Sequence, residues 1–318
     1  MSGEQVKNLD EAMRLAIEQS YLVKGNTYPN PPVGAVIIDR EGHVVGAGAT
    51  EPAGGDHAEV VALRRAGGLA AGGIAVVTLE PCNHFGKTPP CVNALVEARV
   101  GAVVYAVTDP NGIAGGGAGR LQAAGVQVQS GVLADQVAGG PLREWLYKQR
   151  TGLPHVTWKY ASSVDGRSAA ADGTSRWISS DASRLDLHRR RATADTIVVG
   201  TGTVLSDDPM LSVRLPDYDG PQPMKLVLDG GLSIPTRARL LRERGGGEVI
   251  LFTTPFAKPQ MIKHFEKEGR RVIVVPSRTR LIDPQLLMDE LYRIKIMSVL
   301  IEGGRQLHTS MLARGLAD

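Results

Sequence analysis

Apolar and polar positions in the first 149 residues alternate between the period of a helix and that of a strand. Apolar residues recur at helical spacing over residues 9–24, which predicts an amphipathic first helix. The apolar runs Val33–Asp39 and Val44–Ala49 are separated by Glu41-Gly42 and predict a β-hairpin. The pattern then predicts, in order, a helix at His57–Ala66, a strand at Ile74–Leu79, a helix at Cys91–Arg99, a strand at Ala102–Thr108, a short helix at Arg120–Ala124, a strand at Val126–Gln129 and a helix at Gln136–Gln149. Such alternation is typical of a three-layer α/β domain.

The alternation begins again after a short segment, Arg150–Pro154, which we interpret as a linker because Gly and Pro interrupt regular structure. The chain has 318 residues, twice the ~150 of a usual domain, so we expect two domains, residues 1–149 and residues 150–318. In the second, the pattern predicts strands at Val156–Ala161, Thr196–Val199, Lys225–Leu228, Val249–Phe252, Val272–Val275 and Ser298–Ile301, and helices at Ala182–Ala194, Lys258–Glu268 and Pro284–Ile294. The second domain is therefore also predicted to be α/β.

Composition narrows the classes of function. The net charge of +3, from 36 basic and 33 acidic residues, is too small to favour bulk nucleic-acid binding, although it allows a local basic pocket for a phosphorylated small molecule. No apolar run approaches the ~20 residues that span a bilayer, and the polar N-terminus lacks the apolar region of a signal peptide. We therefore expect a cytoplasmic protein with neither membrane nor nucleic-acid partners. Its two cysteines, Cys82 and Cys91, are more typical of metal binding or catalysis than of a disulfide.

The strongest chemical signal is the order His57-Ala58-Glu59, Pro81-Cys82 and Cys91. A catalytic zinc ion takes three protein ligands and keeps one position open for water, and one imidazole and two thiolates supply those three ligands. Both ligand-bearing segments lie where helices are predicted to begin, and a helix N-terminus stabilises the thiolate that metal binding needs. The sequence therefore predicts a zinc site at His57, Cys82 and Cys91.

Glu59 follows the zinc-binding histidine by two residues and is expected to face the same cavity without binding the metal. Zinc lowers the pKa of a bound water to about 7, which provides hydroxide for attack on a ring carbon that bears an amino group. Glu59 would take the proton from this water and deliver it to the departing ammonia. The order H-x-E, then P-C, is the zinc-deaminase pattern for nucleobases, although eight residues separate the cysteines here rather than the usual two.

The inserted residues make the pattern more specific. The run TLEPCNHFGKTPPC, with HAEV and NPPVGAVI upstream, resembles the bifunctional riboflavin-biosynthesis deaminase/reductase family. The resemblance implies a cytidine-deaminase-like first domain and deamination of 2,5-diamino-6-ribosylamino-4(3H)-pyrimidinone 5′-phosphate, followed by NADPH reduction of its ribosyl group to ribityl. It also implies zinc ligands at His57, Cys82 and Cys91, a proton donor at Glu59, and contacts to the pyrimidine and its phosphate at Asn30, His84 and Lys87.

Other readings of these residues stay open at the level of sequence. A purely structural zinc site is the main rival, and an ordinary surface loop or turn would explain His84, Lys87 or Asn30 taken singly. The chain also departs from the family pattern, since Thr50 and Val61 stand where relatives often have His. These two departures concern substrate contacts and leave the zinc chemistry as predicted.

Four motifs in the second domain, K-x-A-x-S-x-D-G-R, S-x-W-I-S-S, T-V-L-x-D-D-P and E-G-G, together resemble the reductase domain of the same family, which has a dihydrofolate-reductase-like fold. By resemblance, the NADPH-binding residues are Ala161, Trp177, Thr203, Asp207 and the turn Gly304–Ser310, that is Gly304, Arg305, Gln306, Leu307, His308, Thr309 and Ser310. The residues expected to bind the ribose phosphate substrate are Lys159, Ser175, Arg191, Leu211, Arg214 and Glu302. The cofactor supplies the hydride, so the protein mainly supplies position and charge.

Singly, the signals of this second domain are weak. A glycine-rich turn before a helix can bind a phosphate through its N–H groups, but E-G-G and Gly200-Thr201-Gly202 lack the full dinucleotide fingerprint. The basic run Arg189–Arg191 is also compatible with a solvated helix face, and Trp177 with a core anchor. Arg191 and Arg214 suit a phosphate because guanidinium groups pair with it through two hydrogen bonds.

Three alternatives and one further expectation concern the protein as a whole. The chain stops after a predicted helix where family members continue for several strands, so an incomplete reductase domain beside an active deaminase is one alternative. A nucleic-acid base deaminase would share the zinc site but needs a basic, aromatic-lined surface, and aromatics are only 4% of the residues. A non-catalytic zinc scaffold is the third alternative. We expect a homo-oligomer that acts on a small molecule.

Overall fold

The computed structural model describes residues 5–86, 88–112, 114–171, 174, 178–243 and 246–316. The chain divides into two units, Met1–Gly152 and Leu153–Asp318. Among the described residues, none of the helices combines the length and the apolar character needed to cross a bilayer.

The N-terminal unit contains a five-stranded sheet in the order β2-β1-β3-β4-β5. The predicted hairpin is confirmed, since β1 and β2 pair antiparallel with Gly34 opposite Ala49. Strands β3, β4 and β5 are parallel to one another, so their carboxyl ends lie at one edge of the sheet. The strands are β1 (Gly34–Ile38), β2 (Val44–Ala49), β3 (Ile74–Leu79), β4 (Ala102–Val107) and β5 (Gln127–Ser130).

Among the described residues of this unit, the α-helices are α1 (Leu9–Leu22), α2 (Ala58–Ala66), α3 (Cys91–Glu97), α4 (Gly117–Ala123), α5 (Ala134–Ala138) and α6 (Arg143–Thr151). The prediction of one helix over Gln136–Gln149 is wrong, because the chain forms α5 and α6 with Gly139-Gly140 between them. A side chain at Gly140 would overlap the carbonyl oxygen of Gln136 and lie 2.7 Å from the Tyr21 hydroxyl. Close approach of α1 therefore requires glycine where the helix is interrupted.

Small residues let the helices lie directly on the sheet. A Cβ added at Gly46 or Gly48 of β2 would overlap the backbone of α2, and one at Gly34 of β1 would overlap that of α1. Helix α2 can therefore approach β2 closely because glycine and alanine lie at the contact. Close packing of small residues agrees with the low aromatic content of the chain.

The C-terminal unit contains a parallel six-stranded sheet in the order β10-β9-β8-β7-β11-β6. Its apolar side chains alternate between the two faces, for example Leu251 toward one buried cluster and Ile250 and Phe252 toward the other. The strands are β6 (His155–Trp158), β7 (Thr196–Gly200), β8 (Met224–Leu228), β9 (Val249–Thr253), β10 (Arg271–Val274) and β11 (Ser298–Ile301). The helices are α7 (Asp181–Thr193), α8 (Thr201–Asp207), α9 (Arg239–Arg242), α10 (Pro259–Lys267), α11 (Pro284–Arg293) and α12 (Arg305–Leu312).

Three sequence predictions for this unit need correction. The strand predicted to reach Ala161 ends at Trp158, because its neighbour β11 ends at Ile301 and the last hydrogen bond joins Lys159 N–H to that residue's carbonyl. The Gly200-Thr201-Gly202 segment is the start of helix α8, and α9 was not predicted. The stretch Gly304–Ser310 is not a turn, since α12 begins at Arg305.

Candidate functional site

The structure brings together the three residues predicted to bind zinc. His57 is the N-cap of α2, Cys91 is the first residue of α3, and Cys82 follows the end of β3. Their ligand atoms all lie within 4.8 Å of one another, and His57 Nδ1 is 3.1 Å from Cys91 Sγ and 3.5 Å from Cys82 Sγ. In the described part of the chain this is the one group of three or more His, Cys, Asp or Glu residues close enough to hold a metal ion.

The chemistry of these donors fits zinc. Both cysteines are buried and free, and the Cys91 N–H donates to Cys82 Sγ at 3.3 Å. Hydrogen bonds from Cys91 and His57 lower the pKa of Cys82 to about 4, whereas the neighbouring sulfur and burial raise the pKa of Cys91. The site thus holds one thiolate readily, and a divalent cation would favour the second. One nitrogen and two sulfur ligands leave a fourth tetrahedral position open, as in catalytic zinc sites.

Glu59 lies in the first turn of α2, buried beside the ligand cluster. Burial raises the pKa of its carboxyl to about 7, and the negative charge of Cys82 adds to the increase. Cys91 is a hydrogen-bond partner of this carboxyl. Glu59 therefore contacts one of the three candidate metal ligands but is not itself one of them. A carboxyl that titrates near neutral pH can both accept and donate a proton there.

The three residues predicted to bind the pyrimidine substrate are Asn30, His84 and Lys87. Asn30 closes a turn with Thr27. The Asn30 N–H donates to the Thr27 carbonyl, and the Asn30 carbonyl accepts from the Thr27 hydroxyl. His84 follows Cys82 in the inserted segment, and its Nδ1 is buried without a hydrogen-bond partner in the described structure. Lys87 lies outside the described residues. Of the two described residues, His84 is therefore the better placed to contact a ligand.

The two departures from the family pattern lie in the core. Thr50 is buried, and its hydroxyl accepts the Val33 N–H at 3.1 Å, which ties the end of β2 to the start of β1. Val61 is buried on α2.

Sequence reasoning missed Asp109, which follows β4 at the carboxyl edge of the sheet. Burial raises the pKa of its carboxyl, and the charges of Glu80 and Cys82 add to the increase, whereas His84 lowers it. Asp109 therefore lies within electrostatic reach of the metal ligands. The one sequence signal was its position directly after a predicted strand, next to the glycine tract Gly115–Gly117.

In the C-terminal unit, the structure pairs two of the residues predicted to bind the substrate. Arg191 donates from Nε and Nη2 to the two carboxylate oxygens of Glu302, at 2.6 and 2.7 Å. Its Nη1 donates to the Ser212 carbonyl at 2.9 Å. The guanidinium is thus occupied by protein groups on three sides.

Arg214 and Leu211 flank the same serine. Arg214 is exposed, its Nη1 donates to Ser212 Oγ at 3.1 Å, and its backbone N–H donates to His188 Nδ1. Leu211 is buried and has a left-handed backbone with φ of +57°. Lys159 follows β6, and Ser175 lies outside the described residues. Arg214 is the more accessible of the two arginines predicted to bind a phosphate.

A close backbone approach joins two of the segments predicted to bind the cofactor. A Cβ added at Gly303 would lie 2.7 Å from Thr203 Oγ1, 3.2 Å from Val199 Cα and 3.3 Å from the Gly200 nitrogen. This glycine follows β11, and Thr203 lies in α8, which follows β7. The carboxyl ends of adjacent parallel strands are where open α/β sheets bind ligands. Both segments therefore lie at the edge of the sheet where a nucleotide would bind.

The remaining cofactor predictions lie on or beside these elements. Leu307 packs in the core, Ser310 Oγ donates to the Leu307 carbonyl, and His308 lies 5.5 Å from Trp158 between ring centroids. Trp177 lies outside the described residues. The others are placed in the loop after β6 (Ala161), at the end of α8 (Asp207), in the turn before α12 (Gly304) and on α12 itself (Arg305, Gln306 and Thr309).

Comparison with known proteins extends these observations. Residues 154–318 match the RibD C-terminal domain family, and residues 6–107 match the cytidine and deoxycytidylate deaminase zinc-binding region. The riboflavin biosynthesis protein RibD of Mycobacterium tuberculosis is 75% identical over 244 residues, which are 76% of this chain and 72% of that protein. RibD of Escherichia coli is 37% identical over an alignment of 321 positions, which covers 96% of this chain and 84% of that protein.

Solved structures agree. Acinetobacter baumannii RibD superimposes with a TM-score of 0.85 at 36% identity, covering 98% of this chain and 84% of that one. A diaminohydroxyphosphoribosylaminopyrimidine deaminase/5-amino-6-(5-phosphoribosylamino)uracil reductase from Thermotoga maritima gives the same TM-score and coverage at 33% identity. The predicted fold class, a cytidine-deaminase-like domain followed by a dihydrofolate-reductase-like domain, is thereby confirmed. The chain belongs to the RibD family of bifunctional deaminase/reductase enzymes of riboflavin biosynthesis.

Proposed function

We propose that residues 1–149 deaminate 2,5-diamino-6-ribosylamino-4(3H)-pyrimidinone 5′-phosphate and that residues 150–318 then reduce the ribosyl group of the product with NADPH. The observation that supports the first step most directly is the convergence of His57, Cys82 and Cys91, with the buried Glu59 beside them. The Thermotoga maritima relative has a name that states both activities.

In the deamination, His57, Cys82 and Cys91 would hold the zinc ion, which would supply Lewis-acid activation of the attacking water. Glu59 accepts a proton from the attacking water and returns it to the amino group, which leaves as ammonia while the ring carbon gains an oxygen. Burial of Glu59 favours this cycle because its pKa of about 7 makes both protonation states accessible.

In the reduction, NADPH supplies the hydride. We propose that the phosphates of this cofactor bind beside Gly303, whose close approach to Thr203 brings together the segments that follow β7 and β11. Arg214 would bind the substrate phosphate, while Arg191 would hold the Glu302 carboxylate in a fixed orientation rather than bind phosphate itself.

Two assays on the purified full chain test the proposal. Ammonia release from the diamino substrate should be rapid in the wild type and fall at least about 100-fold in Glu59→Gln with zinc retained, because general acid–base catalysis contributes about 100-fold or more. NADPH absorbance should fall when the deaminated product is supplied, in both proteins. Ammonia release that survives in Glu59→Gln would reject this assignment, and activity on tRNA alone would favour a nucleic-acid deaminase. Absence of NADPH consumption would restrict the activity to deamination.

A further inference from the structure

Glu80 is a buried carboxylate that lies directly before Pro81-Cys82. It is 4% exposed, and its backbone N–H continues the sheet by donating to the Val107 carbonyl. Its side chain leaves this segment and accepts two backbone N–H groups, from Asp109 to Oε2 at 3.2 Å and from Ala118 to Oε1 at 3.0 Å. Both carboxylate oxygens therefore hold the two ends of one loop.

That loop, together with the first two residues of α4, spans residues 109–118, of which 109–112 and 114–118 are described, and this segment is called the 109–118 loop below. Further contacts fix it to the segment that contains the first zinc cysteine. The Asn83 N–H donates to the Ala114 carbonyl at 2.9 Å. A Cβ at Gly117 would overlap the carbonyl oxygen of Pro81, so the backbones touch there.

Arg120, just beyond this loop, connects both cysteine-bearing segments. Its guanidinium donates to Asn83 Oδ1 at 2.9 Å and to Asn93 Oδ1 at 2.7 Å. Asn83 follows Cys82, and Asn93 lies in the first turn of α3, two residues after Cys91. The loop is therefore bound to the metal-ligand segments by three independent sets of hydrogen bonds.

The first residue of the loop, Asp109, lies within electrostatic reach of Cys82. The Asp109 carboxyl is influenced electrostatically by Cys82 and His84, and its Oδ1 accepts the Asn111 N–H at 2.8 Å. A displacement of the loop would therefore move polar groups that lie beside the segments of Cys82 and Cys91. The same displacement would leave His57 and Cys91 in place, because α2 and α3 hold them.

We propose that Glu80 is a positioning residue for the deamination: it fixes the 109–118 loop against the Cys82 segment, so that the loop forms a wall of the substrate pocket. This inference rests on the proposed deaminase function. Glutamate suits the role because a carboxylate accepts hydrogen bonds with both oxygens, whereas a carboxamide accepts with one atom and donates with the other. Glutamine at this position can satisfy only one of the two N–H groups.

The experiment compares the zinc-loaded wild type with Glu80→Gln. We expect the KM for the diamino substrate to rise about tenfold, the magnitude typical for loss of a partner behind a ligand-binding group, with little change in kcat. Amide hydrogen exchange at Asp109 and Ala118 should accelerate. The visible absorption of the cobalt-substituted protein, which reports the geometry of the metal ligands, should stay as in the wild type.

A second variant perturbs the loop from its other side. Gly117→Ala leaves Glu80 intact but forces the loop away from Pro81, so it should raise the same KM, and it decides the question if Glu80→Gln fails to fold. Glu144→Gln is the matched control, because Glu144 is a largely buried carboxylate of the same unit that pairs with Lys24 and does not contact the loop. It should lower stability without changing KM.

The outcomes separate the inference from the function on which it rests. A wild type that releases no ammonia would reject the proposed deaminase. An active wild type with an unchanged KM in Glu80→Gln and in Gly117→Ala would reject the role of Glu80. A KM increase accompanied by an altered cobalt spectrum would also reject it, because Glu80 would then act on the metal ligands rather than on the loop.

Discussion

Arg191 and Glu302 join the last turn of α7 to the residue that follows β11 through two parallel hydrogen bonds, Nε to Oε1 and Nη2 to Oε2. Their side chains are only 8% and 4% exposed. A buried pair of this kind is costly to break because each charge loses its compensation. Arg191 and Glu302, which the family resemblance assigns separately to the substrate, therefore form hydrogen bonds mainly with each other.

Arg191→Met should destabilise the C-terminal unit by about 3–5 kcal/mol, because it leaves the Glu302 carboxylate buried and unpaired. Arg189→Met is the matched control, since Arg189 is an exposed arginine on the same helix, and it should change stability by less than about 0.5 kcal/mol. Urea unfolding followed by circular dichroism measures both. Equal stabilities for the two variants would contradict the importance of the pair.

The extent to which sequence predicts this protein depends on how local each feature is. The convergence of His57, Cys82 and Cys91 could be predicted because their residue types and order indicate a metal site, and α3 begins at Cys91, where the pattern predicts the start of a helix. The Arg191–Glu302 pair joins positions 111 residues apart, so no local sequence pattern predicts it. The same applies to Glu80 and its loop, whose hydrogen bonds span 29 and 38 residues. The interruption between α5 and α6 falls at Gly139-Gly140, and the close approach of Tyr21 to Gly140 is a contact that periodicity cannot show.

Removal of zinc should separate the two activities. We expect a single zinc ion per chain, held by His57, Cys82 and Cys91, and we expect a strong chelator to abolish ammonia release. NADPH oxidation with the deaminated product should persist, because none of these three ligands belongs to the C-terminal unit. Metal analysis beside both assays measures this, and re-addition of zinc should restore the lost activity. Parallel loss of both activities would contradict separate sites.

Gly303→Ala tests the proposed position of the cofactor. The added methyl group would lie 3.2 Å from Val199 Cα and 3.3 Å from the Gly200 nitrogen, which are backbone atoms that cannot rotate away. The turn must then shift, and we expect the KM for NADPH to rise about tenfold or more, since small misplacements at a binding site are costly. The deaminase rate of the same protein is the internal control and should not change. A wild-type KM for NADPH would place the cofactor elsewhere.

Glu144 provides a stability test that depends on pH. Burial raises the pKa of its carboxyl, but the ammonium of Lys24 at 2.9 Å more than offsets this, so the pKa lies below the usual 4.5. A carboxyl whose pKa is lower in the folded than in the unfolded protein stabilises the fold above the unfolded value, and this stabilisation is lost as pH falls through the folded value. Glu144→Gln should therefore lower the free energy of unfolding by about 1–3 kcal/mol at pH 7, the range for hydrogen bonds to charged groups. The difference from the wild type should shrink below pH 4.5.

Asp186→Asn, which breaks the exposed pair with Arg190, is the control and should cost less than about 1 kcal/mol at any pH. Unfolding free energies measured from pH 7 to pH 3 distinguish the cases, and a difference that stays constant over that range would show that Lys24 does not stabilise an ionised Glu144.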